Sequence, residues 1–185
     1  MHEFEAKFTG YTMQSARDLL QNKGYNLKHP QRLMTRKAYH IKGNKNKWGR
    51  VRDEGDKITL TIKELTENSL NGVKEAEIII NNFNDGAAVL EMCGFYEVAF
   101  QETKRELWFK GNIEVMIDTW PGLAPFLEVE GPNSTSVIDA CTELGLNMDE
   151  ALYGGVDVVY QKELGISADT INNTPTLTFN QPPKA

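Results

Sequence analysis

The segment Glu3-Phe4-Glu5-Ala6-Lys7-Phe8 predicts the architecture of this chain, because its charged and apolar residues alternate strictly. Successive side chains of a strand point to opposite faces, so Glu3, Glu5 and Lys7 share one face of the strand. The same alternation recurs in four later segments: Arg50-Val51-Arg52, Thr59-Leu60-Thr61-Ile62-Lys63, Glu75-Ala76-Glu77 and Glu128-Val129-Glu130. The sequence therefore predicts several strands that each carry charges on one face and apolar residues on the other.

Composition indicates a soluble globular protein, predicted as one domain over residues 1–166 followed by a polar tail over 167–185. The net charge of −6 argues against nucleic acid or an anionic membrane as a partner. The sequence contains no apolar run near the roughly 18 residues of a membrane span. Cys93 and Cys141 have no metal-binding spacing and are interpreted as buried thiols, which favours a cytoplasmic location.

Strand signals dominate the chain, and they predict a mainly β (α+β) fold. Eight strands are predicted at about residues 2–9, 33–41, 48–52, 57–65, 73–80, 98–109, 113–119 and 126–130. Short helices are predicted at 12–22, 85–93 and 134–144, with helical turns at 148–152 and 156–164, and Thr12 and Asp85 as candidate N-caps. Eight antiparallel strands with few helices favour a closed tunnel barrel, with a polar charged interior and the short helices packed outside.

Carboxylates occupy same-face positions on several predicted strands. Their oxygens are the ligands that hard divalent cations prefer, and Mg²⁺ typically binds one or two carboxylates together with water and phosphate oxygens. The three histidines are scattered, so the sequence does not predict a zinc site. The acidic set is Glu3, Glu5, Glu75, Glu77, Asp118, Glu128 and Glu130.

Five basic residues fall on the matching faces of five strands. Arginine forks bind phosphate oxygens in pairs and lysine acts as a point charge, so the set suits a compact polyanion such as a triphosphate. Each motif alone is typical of a solvated strand face, and their joint occurrence is what favours a site. The basic set is Lys7, Arg50, Arg52, Lys63 and Arg105.

The order of these motifs resembles that of the CYTH family, also called the triphosphate tunnel metalloenzymes. That family includes class IV adenylate cyclases, thiamine triphosphatases and inorganic triphosphatases. The match spans positions 3 to about 165. Its elements are Glu-x-Glu-x-Lys at Glu3, Glu5 and Lys7, Arg-x-Arg at Arg50 and Arg52, an inward Lys63, paired acids at Glu75 and Glu77, an inward Arg105, and closing acids at Asp118, Glu128 and Glu130.

The resemblance implies an eight-stranded antiparallel tunnel whose basic residues bind a triphosphate. Substrate binding is assigned by this resemblance to Lys7, Arg50, Arg52, Lys63, Glu75, Glu77 and Arg105. Among these, Lys7, Arg52 and Lys63 are the predicted catalytic residues. One or two Mg²⁺ or Mn²⁺ ions are expected on Glu3, Glu5, Asp118, Glu128 and Glu130. Some relatives close the tunnel with a C-terminal basic residue, for which Lys162 is the nearest candidate.

The preferred function is a metal-dependent phosphohydrolase that acts on a small-molecule triphosphate. Inorganic triphosphate, thiamine triphosphate and nucleoside triphosphates are all compatible with the motifs. An adenylate cyclase that makes cyclic AMP and pyrophosphate from ATP is the first alternative, and a non-catalytic module that binds polyphosphate or nucleotide is the second. The motifs leave the physiological substrate, the metal and the oligomeric state open.

Overall fold

The structure, a computed structural model, describes residues 2–67, 70 and 73–183, without the side chains of residues 2 and 3. Its strands are β1 (His2–Phe8), β2 (Asn26–Ile41), β3 (Asn44–Asp53), β4 (Ile58–Leu65), β5 (Val73–Ile80), β6 (Phe95–Lys110), β7 (Ile113–Thr119), β8 (Phe126–Gly131) and β9 (Thr176–Leu177). Its helices are α1 (Met13–Asn22), α2 (Phe83–Met92), α3 (Ser134–Leu144), α4 (Asp157–Leu164) and α5 (Ala168–Asn172), with a 3-10 helix at Met148–Glu150.

Eight antiparallel strands close on themselves to form the predicted barrel. The strand order is β2-β3-β4-β5-β1-β8-β7-β6, and β6 pairs back onto β2. Strand β1 therefore lies between β5 and β8, two strands that are distant from it in the sequence. This closure places the charged faces of β1, β3, β4, β5 and β8 around one interior, as the alternation predicted.

The apolar faces of the strands point outward and are covered by helices. On one side, α1 and α3 pack their buried residues against Ala6, Phe8, Val129 and neighbouring residues of β7 and β8. Helix α2 covers a second apolar cluster that includes Tyr39 and Val51. Gly86 permits that contact, because a Cβ at this position would lie 2.3 Å from the Ile80 side chain. None of the helices in the described ranges is long and apolar enough to cross a membrane.

A third apolar cluster packs around Trp120 and Phe126. Helices α4 and α5 contribute to it, and Tyr160 packs edge-on against Trp120 with ring centroids 6.5 Å apart. The Tyr160 hydroxyl donates a hydrogen bond of 2.8 Å to the carbonyl of Pro121, which secures the loop after β7.

The prediction of a weakly ordered tail from residue 167 was wrong in its structural content. Ile171 in α5 and Leu177 in β9 are buried in the cluster around Trp120, and β9 pairs in parallel with β6. The segment is docked by these buried side chains, by the pairing of β9 and by a hydrogen bond from the Phe179 N–H to Glu102, features that its polar composition concealed. The division of the chain at residue 166 stays a prediction.

Three further expectations needed correction. Strand β2 begins at Asn26 instead of residue 33, because register shifts around His29 accommodate the proline that follows it. Helix α2 is capped by Asn82, whose side-chain oxygen accepts from the N–H groups of Asn84 and Asp85, so Asp85 is not the cap. Cys141 is buried as predicted, whereas Cys93 is exposed.

Candidate active site

A buried lysine joins β1 to β8 inside the barrel. The Lys7 ammonium lies 2.5 Å from a Glu5 oxygen and 3.2 Å from a Glu128 oxygen, and it donates a 2.7 Å hydrogen bond to the carbonyl of Gly154. Lys7 and Glu128 are direct cross-strand partners, as are Glu5 and Glu130. Strand alternation and antiparallel register thus bring four of the predicted site residues to one wall.

An arginine links the next two strands to this wall. Arg105 on β6 donates to both oxygens of its cross-strand partner Asp118 on β7, at 2.7 and 2.6 Å. The same guanidinium donates to Glu128 at 3.0 Å. Asp118 is almost fully buried, so Arg105 compensates a carboxylate that water does not reach.

The opposite wall is built from β3, β4 and β5. Arg50 donates to the Thr61 hydroxyl at 3.2 Å and lies 3.3 Å from a Glu77 oxygen. Lys63 lies 2.7 Å from its cross-strand partner Glu75. These contacts place the predicted substrate-binding residues of three adjacent strands on one face.

Arg52 lies deeper, beside the β3–β4 connection. It donates from Nε at 2.9 Å and from Nη2 at 2.5 Å to one oxygen of Glu54. Burial, together with the positive charges of Arg50 and Arg105, lowers the pKa of Arg52 to about 10, against the opposing effect of Glu54. Arg52 and its cross-strand partner Arg36 are both buried, so two cations lie side by side in a region that water scarcely reaches.

The interior becomes less accessible from one end to the other. The side chains of Glu75 and Glu77 are 22% and 27% exposed, whereas those of Asp118 and Arg52 are 3% and 8% exposed. The Trp120 cluster lies at the buried end. We call the Glu75 and Glu77 end the mouth and the Trp120 end the closed end.

Ion pairing sets the charge states on the β1–β8 wall. Burial acts to raise the pKa of Glu128, but the positive charges of Lys7 and Arg105 outweigh it and hold this pKa well below its usual range. Burial acts to lower the pKa of Lys7, and here the carboxylates of Glu128 and Glu5 outweigh it and raise this pKa. Both groups are therefore charged near neutral pH, which a phosphate and metal site requires.

The donor set fits a hard divalent cation. Glu5 and Glu130 face each other across adjacent strands, and directly opposed residues have Cβ atoms about 4.5–5.5 Å apart. Their oxygens are the ligands that Mg²⁺ and Mn²⁺ favour. Among the described residues, no group of three or more Asp, Glu, His or Cys side chains is arranged so that it could hold a metal ion. Asp118 and Glu128 are held by Arg105, and Glu5 is held by Lys7, so Glu5 and Glu130 are ranked first as candidate ligands on their cross-strand register.

The structure brings together nearly all of the predicted site residues, and one side chain is not described. Glu3 is named as a metal ligand by the sequence, and its side chain lies outside the described residues. The residues that share the interior are Glu5, Lys7, Arg50, Arg52, Lys63, Glu75, Glu77, Arg105, Asp118, Glu128 and Glu130.

Sequence reasoning missed two interior residues, Arg36 and Glu54. Arg36 on β2 is the cross-strand partner of Arg52 and donates to Thr103 at 2.7 Å. Its signal was weak because Thr35 and Lys37 flank it, so β2 has polar residues on both faces. Glu54 lies in a loop, where strand alternation does not apply.

Two surface pockets lie outside the barrel and carry no comparable set of charges. One, of about 330 Å³, is lined by residues of β4, β5 and α2, including Leu60 and Ile78. The other, of about 210 Å³, is lined by Phe8, Glu150 and Lys162 among others. Lys162 therefore borders an outer pocket beside α3 and the 3-10 helix.

A model of the CYTH domain matches residues 1–150, so the chain belongs to the CYTH family. This is the family that the sequence motifs predicted, and its members are enzymes that include triphosphatases and adenylate cyclases. No curated protein matches the chain.

Solved structures show the same fold at low sequence identity. The PH1012 protein of Pyrococcus horikoshii OT3 is 17% identical, with a TM-score of 0.69 over 80% of this chain and 93% of its own. A protein of Vibrio parahaemolyticus described as a candidate adenylate cyclase is 12% identical, with a TM-score of 0.70 over 90% and 99%. HpAC1 from Hippeastrum, described as having a dominant triphosphatase activity, is 18% identical, with a TM-score of 0.57 over 89% and 96%.

Proposed function

We propose that this protein is a divalent-metal-dependent hydrolase of small-molecule triphosphates. The observation that carries the proposal is the convergence of basic and acidic side chains from seven strands on one interior. A pure anion-binding protein has no need of so many carboxylates facing its ligand, whereas a metal-dependent phosphohydrolase needs both charges.

The basic residues of the interior are proposed to hold the substrate. Arg50, Arg52 and Arg105 offer planar forks for phosphate oxygens, and Lys7 and Lys63 offer point charges. Phosphoryl transfer depends mainly on positioning and charge stabilisation, so these residues are assigned both binding and catalysis. Each of them forms ion pairs with interior carboxylates in this structure, which keeps the cations oriented toward the interior.

The acidic residues are proposed to hold Mg²⁺ or Mn²⁺. Glu5 and Glu130 are assigned as ligands, with Asp118, Glu128 and Glu3 in support. A bound ion of this kind supplies Lewis-acid polarisation of phosphoryl oxygens and lowers the pKa of a coordinated water. Glu75 and Glu77 lie at the mouth, where they position Lys63 and Arg50.

Turnover with defined substrates tests the proposal. Tripolyphosphate, thiamine triphosphate and ATP are each incubated with Mg²⁺ or Mn²⁺, and phosphate, cyclic AMP and binding are measured. Phosphate release is expected, and EDTA should stop it reversibly. Cyclic AMP with pyrophosphate would instead identify an adenylate cyclase, and binding without product would identify a non-catalytic module.

Three variants distinguish a role in metal binding from a nonspecific effect of removing a carboxylate. Glu5→Gln and Glu130→Gln should each abolish turnover with the fold intact. Glu64→Gln is the matched control, since Glu64 on β4 pairs with Lys47 and is more than a third exposed. Equal rates in all three variants would reject the assignment of Glu5 and Glu130. A cytoplasmic location stays a prediction.

A further inference from the structure

Arg36 is a buried arginine with an incomplete set of partners. It is only 8% exposed, and its Nη2 donates a 2.7 Å hydrogen bond to the Thr103 hydroxyl. Its Nε has no hydrogen-bond acceptor. Among the side chains of residues 4–67, 70 and 73–183, no carboxylate lies within 4.0 Å of the guanidinium.

The other interior cations differ from Arg36 in this respect. Arg50, Arg52 and Arg105 each contact a carboxylate, at 3.3, 2.5 and 2.6 Å respectively. Burial lowers the pKa of Arg36 far below its usual value, and Arg50, Arg52 and Arg105 add to the effect more than Asp118 offsets it. A buried charge without a counter-charge is unfavourable, so this position calls for an anion that the chain itself does not supply.

Trp120 holds the Arg36 guanidinium at the closed end of the interior. The guanidinium carbon lies 4.5 Å from the centroid of the indole ring, in a cation–π contact. Stacking uses the flat face of the guanidinium and leaves its in-plane N–H groups for hydrogen bonds. The side chain is thus fixed in place before any ligand binds, which reduces the entropy lost on binding.

We infer that Arg36 is a substrate-binding residue that receives a phosphate group at the closed end of the tunnel. The identity of that group as the terminal phosphate of a triphosphate rests on the proposed function. The rest of the substrate then extends toward the mouth at Glu75 and Glu77. A tetrahedral oxyanion matches the fork of Arg36 and the adjacent fork of its cross-strand partner Arg52.

A purely structural Arg36 makes the opposite prediction about stability. If stacking on Trp120 and the bond to Thr103 were its purpose, Arg36→Met would destabilise the protein with or without anion. If the counter-charge of Arg36 is instead the phosphate of a bound substrate, replacing Arg36 with an apolar side chain of similar length removes an unpaired buried charge from the unbound protein. The variant should then be as stable as the parent, or more so, when no anion is present.

Binding measured in EDTA tests the inference without turnover. Thermal unfolding and calorimetric titration with tripolyphosphate are compared for the parent, Arg36→Met, Arg36→Lys and Lys37→Met. Lys37 is the matched control, because it is the next residue of β2 and pairs with Glu97 at 2.8 Å, partly exposed. Arg36→Met should lose roughly ten- to a hundredfold in affinity, the range expected for a hydrogen bond to a charged group. Arg36→Lys should lose less, and Lys37→Met should bind as the parent does.

Parent-like affinity in both Arg36 variants would overturn the inference, as would failure of the parent to bind tripolyphosphate. If Arg36→Met does not fold, the stability prediction fails, and Arg36→Lys decides the role in binding, since it keeps the charge and removes the fork. If tripolyphosphate binding depends on Arg36 but the parent does not hydrolyse it in the presence of Mg²⁺ or Mn²⁺, the proposed function is refuted and the role of Arg36 is not. Hydrolysis by the parent, with unimpaired binding in the Arg36 variants, would refute the role of Arg36 alone.

Discussion

Replacing Lys7 with methionine tests whether the buried charges of the interior are mutually dependent. The substitution removes a cation that lies 2.5 Å from Glu5 and 3.2 Å from Glu128. Both carboxylates are less than a tenth exposed, so the variant leaves negative charge in a region that water scarcely reaches. The loss of one partner from a buried ion pair costs about 3–5 kcal/mol.

The expected loss for Lys7→Met lies at the lower end of that range. Glu128 keeps its 3.0 Å contact with Arg105, so its charge stays partly compensated. We therefore expect about 3 kcal/mol from urea unfolding followed by circular dichroism at pH 7. The control is Lys28→Met, because Lys28 also lies 2.5 Å from a glutamate, Glu114, but the two side chains are 54% and 40% exposed. That variant should lose no more than about 1 kcal/mol.

A double-mutant cycle and a pH series complete the experiment. Lys7→Met with Glu5→Gln should lose less than the sum of the single losses, by about 1–3 kcal/mol. The pKa of Glu128 is lowered in the folded protein, so its stabilising effect is present above the unfolded pKa of about 4.3 and is lost as pH falls. The difference in the free energy of unfolding between Lys7→Met and the parent should therefore become smaller below about pH 4. Equal losses for Lys7→Met and Lys28→Met, or strict additivity, would refute the reasoning.

Three further predictions concern other parts of the molecule. Arg52→Ala should raise KM and lower kcat, with kcat/KM down about ten- to a hundredfold, and Lys47→Ala on the outer face of β3 is its control; unchanged kinetics would show that Arg52 does not touch substrate. Glu106→Gln should lose about 1.5–3 kcal/mol near neutral pH, since this buried carboxylate accepts from Arg17 and from the Trp108 indole. Burial acts to raise the pKa of Glu106, but these donors outweigh it and lower this pKa. The loss of unfolding free energy should therefore become smaller as pH drops below the unfolded pKa of about 4.3, and a loss that does not change with pH in acid unfolding curves would contradict this prediction. Leu144→Ala should lose about 2–5 kcal/mol in urea unfolding, because Leu144 anchors α3 on the barrel, and a loss near zero would mean that α3 is dispensable.

The alternation of residues along the strands was sufficient to predict the barrel and most of the charged side chains that share its interior. It worked for Glu5, Lys7, Arg50 and Arg52 because strand periodicity is a local property of the chain. It failed for Arg36, since Thr35 and Lys37 are also polar and neither face of β2 is distinguished by composition. Alternation also does not predict the burial of Glu106 on the outer face of β6. Its charge is compensated there by Arg17, which comes from α1.

What the amino-acid order settles here is therefore which residues share a face, because the side-chain period of a strand needs no information from distant parts of the chain. Which charge meets which depends on the closure of β6 onto β2 and on the insertion of β1 between β5 and β8. These contacts join positions more than sixty residues apart, such as Arg36 with Thr103 and Lys7 with Glu128. The pairing and burial of these residues arise only when the strands are packed together, since desolvation and charge–charge distance are properties of the folded arrangement. The same holds for Arg36, the one arginine of the described residues inside the barrel that has no carboxylate partner.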